Sequence, residues 1–110
     1  MSSEVTVAFY GVRLAVTHDE ITSLEERTHP LLKQARKVGL KTYWGSFAAK
    51  DSAYALFVGE KIGLLGLENS GAIELTLEEL TARANDTNQR LAQVGITAEP
   101  KFYLEWQPDT

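Results

Sequence analysis

Two capping-box sequences divide the chain and fix where its helices can begin. Thr17-His18-Asp19-Glu20 and Thr76-Leu77-Glu78-Glu79 each place a threonine three residues before a glutamate. In this pattern the two residues can satisfy each other's backbone N–H groups at a helix start. Apolar residues at spacings of three and four follow both boxes, which predicts two amphipathic helices. Pro30 lies within the first, which is therefore expected to be kinked or split, and Gly39 and Gly95 are expected to end the two helical regions.

Strand-forming segments precede and follow these helices. Strands are predicted over residues 4–16, 41–48, 53–58 and 101–106, and a short further strand is expected over 62–68. In the first strand the apolar positions change from odd to even numbers at Gly11, which predicts a β-bulge at that glycine. The strands are expected to supply most of the large core side chains, namely Phe9, Phe57, Phe102, Leu104 and Trp106.

The order of these elements predicts an α+β fold, with a single, mostly antiparallel sheet and two main helices on one face. Right-handed crossovers in the two β–α–β units would make the layout ferredoxin-like (βαββαβ), with one extra short strand. The chain has 110 residues, of which 44% are apolar. That length fits one globular domain over residues 1–110, large enough to form a core without metal or disulfide cross-links.

Composition excludes several classes of function. The chain has no cysteine, which removes disulfides, thiolate metal sites and thiol nucleophiles. Its net charge of −4 argues against a nucleic-acid partner, because nucleic-acid affinity depends largely on clustered Lys and Arg. No window is apolar enough to span a bilayer, and the first residues lack the pattern of a secretory signal. We therefore expect a cytoplasmic protein that binds neither nucleic acid nor membrane.

No sequence motif indicates a particular chemistry. The segment Gly45-Ser46-Phe47 lacks the context of a serine nucleophile, and Gly59, Gly63 and Gly66 match neither a dinucleotide fingerprint nor a P-loop. We therefore assign no catalytic residue, no metal site and no cofactor. His29, which precedes a proline, is expected to be a helix cap or a surface residue.

Two charged clusters each allow two interpretations. His18, Asp19 and Glu20 form the densest titratable cluster, which is either the polar first turn of a helix or part of a ligand pocket. The basic residues Lys33, Arg36, Lys37 and Lys41 suit the last turn of a helix, where cations complement the helix dipole. The alternative is a phosphate-binding patch.

Aromatic residues give the main hypothesis about function. Tyr10, Trp44, Tyr54 and Tyr103 are expected to share the sheet face turned away from the helices, and such an amphipathic face suits binding. The preferred interpretation is a non-catalytic protein-interaction or regulatory domain that forms a homodimer or binds a protein partner through that face. The alternative is a small-ligand-binding protein or small enzyme with a pocket near His18, Asp19 and Glu20.

Overall fold

The computed structural model describes residues 5–46, 54–66 and 71–107 and shows an α+β fold. Its elements in chain order are β1 (Val5–Val16), α1 (His18–Glu25), α2 (Pro30–Lys37), β2 (Lys41–Ser46), β3 (Tyr54–Gly66), α3 (Leu77–Gln93) and β4 (Lys101–Gln107). The strands form one antiparallel sheet in the order β2-β3-β1-β4. The order alone does not establish the ferredoxin-like layout, which also requires right-handed crossovers.

Both predicted capping boxes are present at helix starts. The Glu79 N–H donates to the Thr76 Oγ1 over 3.0 Å, and the Thr17 N–H donates to the Glu20 carboxylate over 3.1 Å. Pro30 is the first residue of α2, so the first helical region is two helices rather than one kinked helix. The missing backbone N–H of Pro30 removes no hydrogen bond from α2, because the first N–H groups of a helix have no partner within the helix.

Glycines end the second and third helices as predicted. Gly39 and Gly95 have φ values of +76° and +74°, a backbone conformation that glycine adopts without a steric cost. The Leu40 N–H then donates to the Ala35 carbonyl over 2.8 Å, as in a Schellman-type helix end.

Each face of the sheet carries its own apolar cluster. On one face, which we call the helix side, buried residues of β1, β3 and all three helices pack together, among them Val12, Leu56, Leu24, Leu32 and Leu91. On the other face the buried cluster consists of strand residues alone, namely Val7, Phe9, Ala55 and Phe57. Phe9 and Phe57 are fully buried there, with ring centroids 5.3 Å apart.

The second cluster is buried because the sheet curls around it. In a flat sheet β2 and β4 would lie about 14 Å apart, because two strands separate them. Instead the Tyr43 hydroxyl of β2 donates a hydrogen bond to the Gln107 side chain of β4. A Cβ placed on Gly45 would also clash with the Gln107 amide. The face with Phe9 and Phe57 is therefore concave, and we call it the concave face.

Two sequence predictions about β1 and β3 are wrong. The strand predicted over 62–68 is not separate in its described part, because β3 continues unbroken to Gly66, opposite Val5. Residues 67 and 68 lie outside the described residues. The bulge is not at Gly11 either, since the β1–β3 register shifts between Ala8 and Phe9. The apolar positions of β1 change from odd to even because its first half fills the concave face and its second half fills the helix side.

The core prediction is correct for two of its five residues. Phe9 and Phe57 are buried, but Phe102, Leu104 and Trp106 of β4 are 48%, 61% and 47% exposed. The reason is the position of β4, which pairs only with residues 5–11 of β1. The helix-side cluster instead includes the second half of β1, so it leaves β4 outside.

Candidate functional site

The most exposed large apolar side chains of the sheet lie along one edge strand. Phe102, Leu104 and Trp106 alternate along β4 and therefore point to the same side of the sheet. Opposite them in β1 are Tyr10 and Ala8, and Tyr10 hydrogen-bonds to α3, so this is the helix side. We call the three residues the β4 stripe.

An apolar groove adjoins the β4 stripe. Its volume is about 270 Å³, and Phe102 and Leu104 form one wall of it. The remaining lining comes from β1, β3, the segment before α3 and α3 itself, and it is apolar throughout: Ala8, Ile62, Leu65, Ile73, Leu75 and Leu80. Leu77, at the start of α3, is 80% exposed. The stripe and groove together form a continuous apolar area of the kind that marks interaction sites.

On the concave face, opposite the β4 stripe, an ion pair joins β4 to β1. The Arg13 Nε donates to Glu105 Oε2 over 2.5 Å, and a second Arg13 nitrogen donates to Glu105 Oε1 over 3.1 Å. The same guanidinium lies 5.8 Å from the centroid of the Phe57 ring. This two-point contact fixes β4 against β1, so the stripe is presented by a rigid strand.

The four aromatic residues predicted to bind a partner do not share one face. Tyr10, Trp44 and Tyr54 lie on the helix side, where the Tyr10 hydroxyl donates to Asn88 of α3 and the Trp44 and Tyr54 rings are 6.2 Å apart. Tyr103 lies on the concave face, 5.4 Å from the Phe57 ring. A binding role for these residues stays a prediction.

The concave face is closed rather than open. Tyr43 reaches Gln107 across it, and burial raises the pKa of the Tyr43 hydroxyl above its ordinary value of 10.0. An aromatic surface on this face is therefore already occupied by contacts within the chain.

Glu20 is held by structural hydrogen bonds. Its carboxylate accepts from His29 Nε2 over 2.7 Å and from the Thr17 N–H, and these contacts lower the Glu20 pKa to about 2. His29 caps α2, because its Nδ1 accepts from the Leu31 N–H over 3.1 Å. His29 therefore joins α1 to α2 through contacts at both of its ring nitrogens.

The rest of the predicted ligand cluster takes no part in the hydrogen bonds that hold the Glu20 carboxylate. His18 and Asp19 are exposed in the first turn of α1. A ligand role for His18, Asp19 and Glu20 stays a prediction. Within residues 5–46, 54–66 and 71–107, no three His, Asp or Glu side chains come close enough together to hold a metal ion. None of the helices in those ranges is long and apolar enough to cross a membrane.

Sequence reasoning assigned the β4 stripe to the core, because alternation shows which residues share a face but not whether that face is covered. The sequence carries no separate signal for this exposure, because whether a strand lies at a sheet edge depends on which strands pair with it. Comparisons with protein-family models, with curated proteins and with solved structures find no match for this chain.

Proposed function

We propose that this chain is a protein-interaction domain that forms a homodimer through β4. The observation that carries the proposal is the β4 stripe, three large apolar side chains about half exposed along an edge strand. Exposed strand edges offer unpaired backbone groups to another strand, and natural proteins usually protect them. The proposal keeps the homodimer expected from the sequence and moves its contact surface to Phe102, Leu104 and Trp106.

The sequence of β4 is complementary to itself. If two copies pair antiparallel about a two-fold axis at Tyr103, Lys101 of each copy faces Glu105 of the other, and Phe102 faces Leu104. Opposite charges and large apolar residues are both favourable cross-strand pairs. A two-fold axis also requires a surface that fits itself, and β4 meets that condition. These pairings favour a second copy of the chain over an unrelated partner.

The paired strands would also bring both β4 stripes to the same side of a continuous eight-stranded sheet. The stripes would then lie next to each other between the two apolar grooves. Burial of this apolar area supplies the main driving force for association, and Glu105 keeps its contact with Arg13.

Sedimentation equilibrium with matched variants tests the proposal. We expect the wild-type chain to dimerise and Leu104→Ser to weaken dimerisation at least about tenfold, because loss of a buried leucine from an interface costs more than 1.4 kcal/mol. Leu77→Ser is the control, since Leu77 is also exposed but lies on α3. A monomer at about 0.5 mM wild-type chain, a very weak dissociation constant, would exclude the dimer. An equal effect of Leu77→Ser would exclude β4 as its interface.

A charge reversal tests the register of the two strands. Lys101→Glu would place two glutamates opposite each other at both ends of the paired strands, so dimerisation should weaken. Lys61→Glu is the matched control, because Lys61 is also an exposed strand lysine but lies on β3. Equal dissociation constants for the two variants would contradict pairing about Tyr103.

We also infer a ferredoxin-like layout for the fold. The support is that β3 lies between β1 and β2, and β1 lies between β3 and β4, so each β–α–β unit is split by a strand of the other. An experimental structure with a left-handed crossover would contradict this inference. A cytoplasmic location and the absence of a nucleic-acid partner stay predictions.

A further inference from the structure

A second cavity lies at the other edge of the sheet, far in the strand order from β4. It has a volume of about 580 Å³ and opens between α1, α2 and the edge strand β2. We call it the β2 cleft. Three kinds of residue line it: the leucines Leu24, Leu32 and Leu40, the cations Arg27, Arg36 and Lys41, and the β2 residues Thr42, Tyr43 and Trp44.

Within the described part of the chain, the arginines of the β2 cleft form no ion pair. The chain has five arginines, and three of them form ion pairs, with Glu105, Glu60 and Asp86. Arg27 and Arg36 form none with any residue that the structure describes, and both line this one cleft. Lys41 adds a third positive charge, and none of the described residues of the lining is acidic. The cleft is therefore a concentrated positive site on a chain whose net charge is −4.

Stabilisation of helix ends explains only part of this arrangement. Arg36 lies in the last turn of α2, where a cation complements the helix dipole. Lys41, however, begins a strand, so no helix end accounts for it. Arg27, in contrast, ends α1 with a φ of +60°, and the Thr28 N–H donates to the Ser23 carbonyl over 2.8 Å, as in a Schellman-type helix end. Three cations from three different segments line this cleft.

The apolar part of the cleft limits the kind of anion it suits. Leu24, Leu32 and Leu40 are at least nine-tenths buried and belong to the helix-side cluster, so they form a rigid floor. Trp44 packs against the same cluster and adds an aromatic wall. A cavity of this volume is within the usual range for small-molecule sites, which combine apolar walls with a few polar groups.

We propose that the β2 cleft binds a small organic phosphate with an apolar or aromatic group. Arg27, Arg36 and Lys41 hold the phosphate, and the leucine floor and Trp44 contact the rest of the molecule. Phosphate fits better than a carboxylate because three cations exceed the charge of a single carboxylate, and arginine can donate two parallel hydrogen bonds to phosphate oxygens. This site is separate from β4 and does not depend on the proposed dimer.

A nitrogen-15 NMR titration with phenyl phosphate tests the proposal on the full chain at constant ionic strength. Binding should shift the backbone amides of residues 41–44 and the Trp44 indole N–H in a saturable manner. The chain has two tryptophans, so Trp106→Phe assigns the Trp44 signal. Inorganic phosphate should bind at least about tenfold more weakly, because it leaves the apolar walls uncovered.

Matched charge changes locate the site. Lys41→Gln and Arg36→Gln should each weaken phenyl phosphate binding about tenfold, because each removes a charge-assisted hydrogen bond. Lys33→Gln is the control, since it removes the same charge from an exposed position on α2 outside the lining. It should change the affinity less than about twofold.

Three outcomes would overturn the proposal. The first is the absence of a saturable shift at about 10 mM phenyl phosphate, a concentration beyond which specific binding is negligible. The second is equal affinity for phenyl phosphate and inorganic phosphate. The third is a loss of affinity in Lys33→Gln as large as that in Lys41→Gln. None of them depends on whether the chain forms a dimer.

Discussion

At the scale of single residues, Gly11 and Gly59 face each other across the two central strands. Both have a φ of +154°, which side chains rarely tolerate. A Cβ on Gly11 would clash with the Val58 carbonyl and lie 2.9 Å from the Gly59 Cα. A Cβ on Gly59 would clash in the same way with the Tyr10 carbonyl. The two backbones approach this closely only because neither residue has a side chain.

We therefore expect Gly11→Ala to lower the free energy of unfolding by about 2–4 kcal/mol, through backbone strain and displacement of a buried strand. Urea denaturation measures the change. Gly71→Ala is the control, because a Cβ at that exposed position meets nothing within 4 Å. Equal losses in the two variants would mean that the close approach at Gly11 does not matter for stability.

Glu20 should make stability depend on pH. The folded pKa of Glu20, about 2, is below its ordinary value of 4.5, so its contribution to stability is complete above about pH 4.5 and is lost as the pH falls toward 2. Glu20→Gln should be less stable than wild type near pH 7, and the difference should shrink below about pH 4.5.

Urea denaturation of both proteins between about pH 7 and pH 2.5 tests this. Glu25→Gln, on the same helix, changes an exposed glutamate with no side-chain partner among the described residues. A difference between wild type and Glu20→Gln that stays constant with pH would refute the role given to Glu20.

Residue roles set by local chemistry could be predicted, and those set by distant contacts could not. The two capping boxes and the cap at His29 follow from neighbours in sequence. The contact between His29 and Glu20 joins two helices, so no local pattern shows it. Arg27 and Lys41 line the same cleft only because the chain folds back through α2.

At the scale of elements, α3 shows how much one cap contributes. Thr76→Ala removes the hydroxyl that accepts from the Glu79 N–H, so it should lower the free energy of unfolding by about 1 kcal/mol. Thr81→Ala, at an exposed position inside α3, should be neutral or slightly stabilising because alanine favours helix. Thermal or urea unfolding compares the two variants. A loss at position 81 as large as at position 76 would contradict the capping role.

The strands were harder to predict than the helices. Separate strands were predicted over 53–58 and 62–68, yet residues 54–66 form one strand, because β1 supplies a partner along its whole length. The exposure of β4 was also missed, since it depends on which half of the sheet the helices cover. Local patterns give the type of an element, whereas its length and burial depend on its neighbours.

At the scale of the whole molecule, the sheet supports two separate apolar clusters and has two edge strands, β2 and β4. Helices cover one cluster, and the curl of the sheet covers the other. The edge at β4 is apolar and the edge at β2 is basic. The aromatic face expected from the sequence does not form, because Tyr10, Trp44 and Tyr54 lie on the helix side and Tyr103 lies on the concave face.

If β4 forms a dimer, the melting temperature should depend on protein concentration. Dissociation accompanies unfolding in that case, so mass action stabilises the folded state at higher concentration. We expect the melting temperature of the wild type to rise by a few degrees over a hundredfold increase in concentration, and that of Leu104→Ser to stay constant. Calorimetry at several concentrations measures both. A constant wild-type value would contradict the dimer.

The glycine pair in the central strands also bears on how the chain folds correctly. Most sheets are protected from misalignment because a one-residue slip exposes the apolar face. That protection is weak for β1, which carries apolar residues on both of its sides. Any slip of β1 against β3 would instead bring a side chain into the narrow place that Gly11 and Gly59 now share. The absence of side chains at Gly11 and Gly59 thus selects the observed register of β1 and β3 over shifted ones.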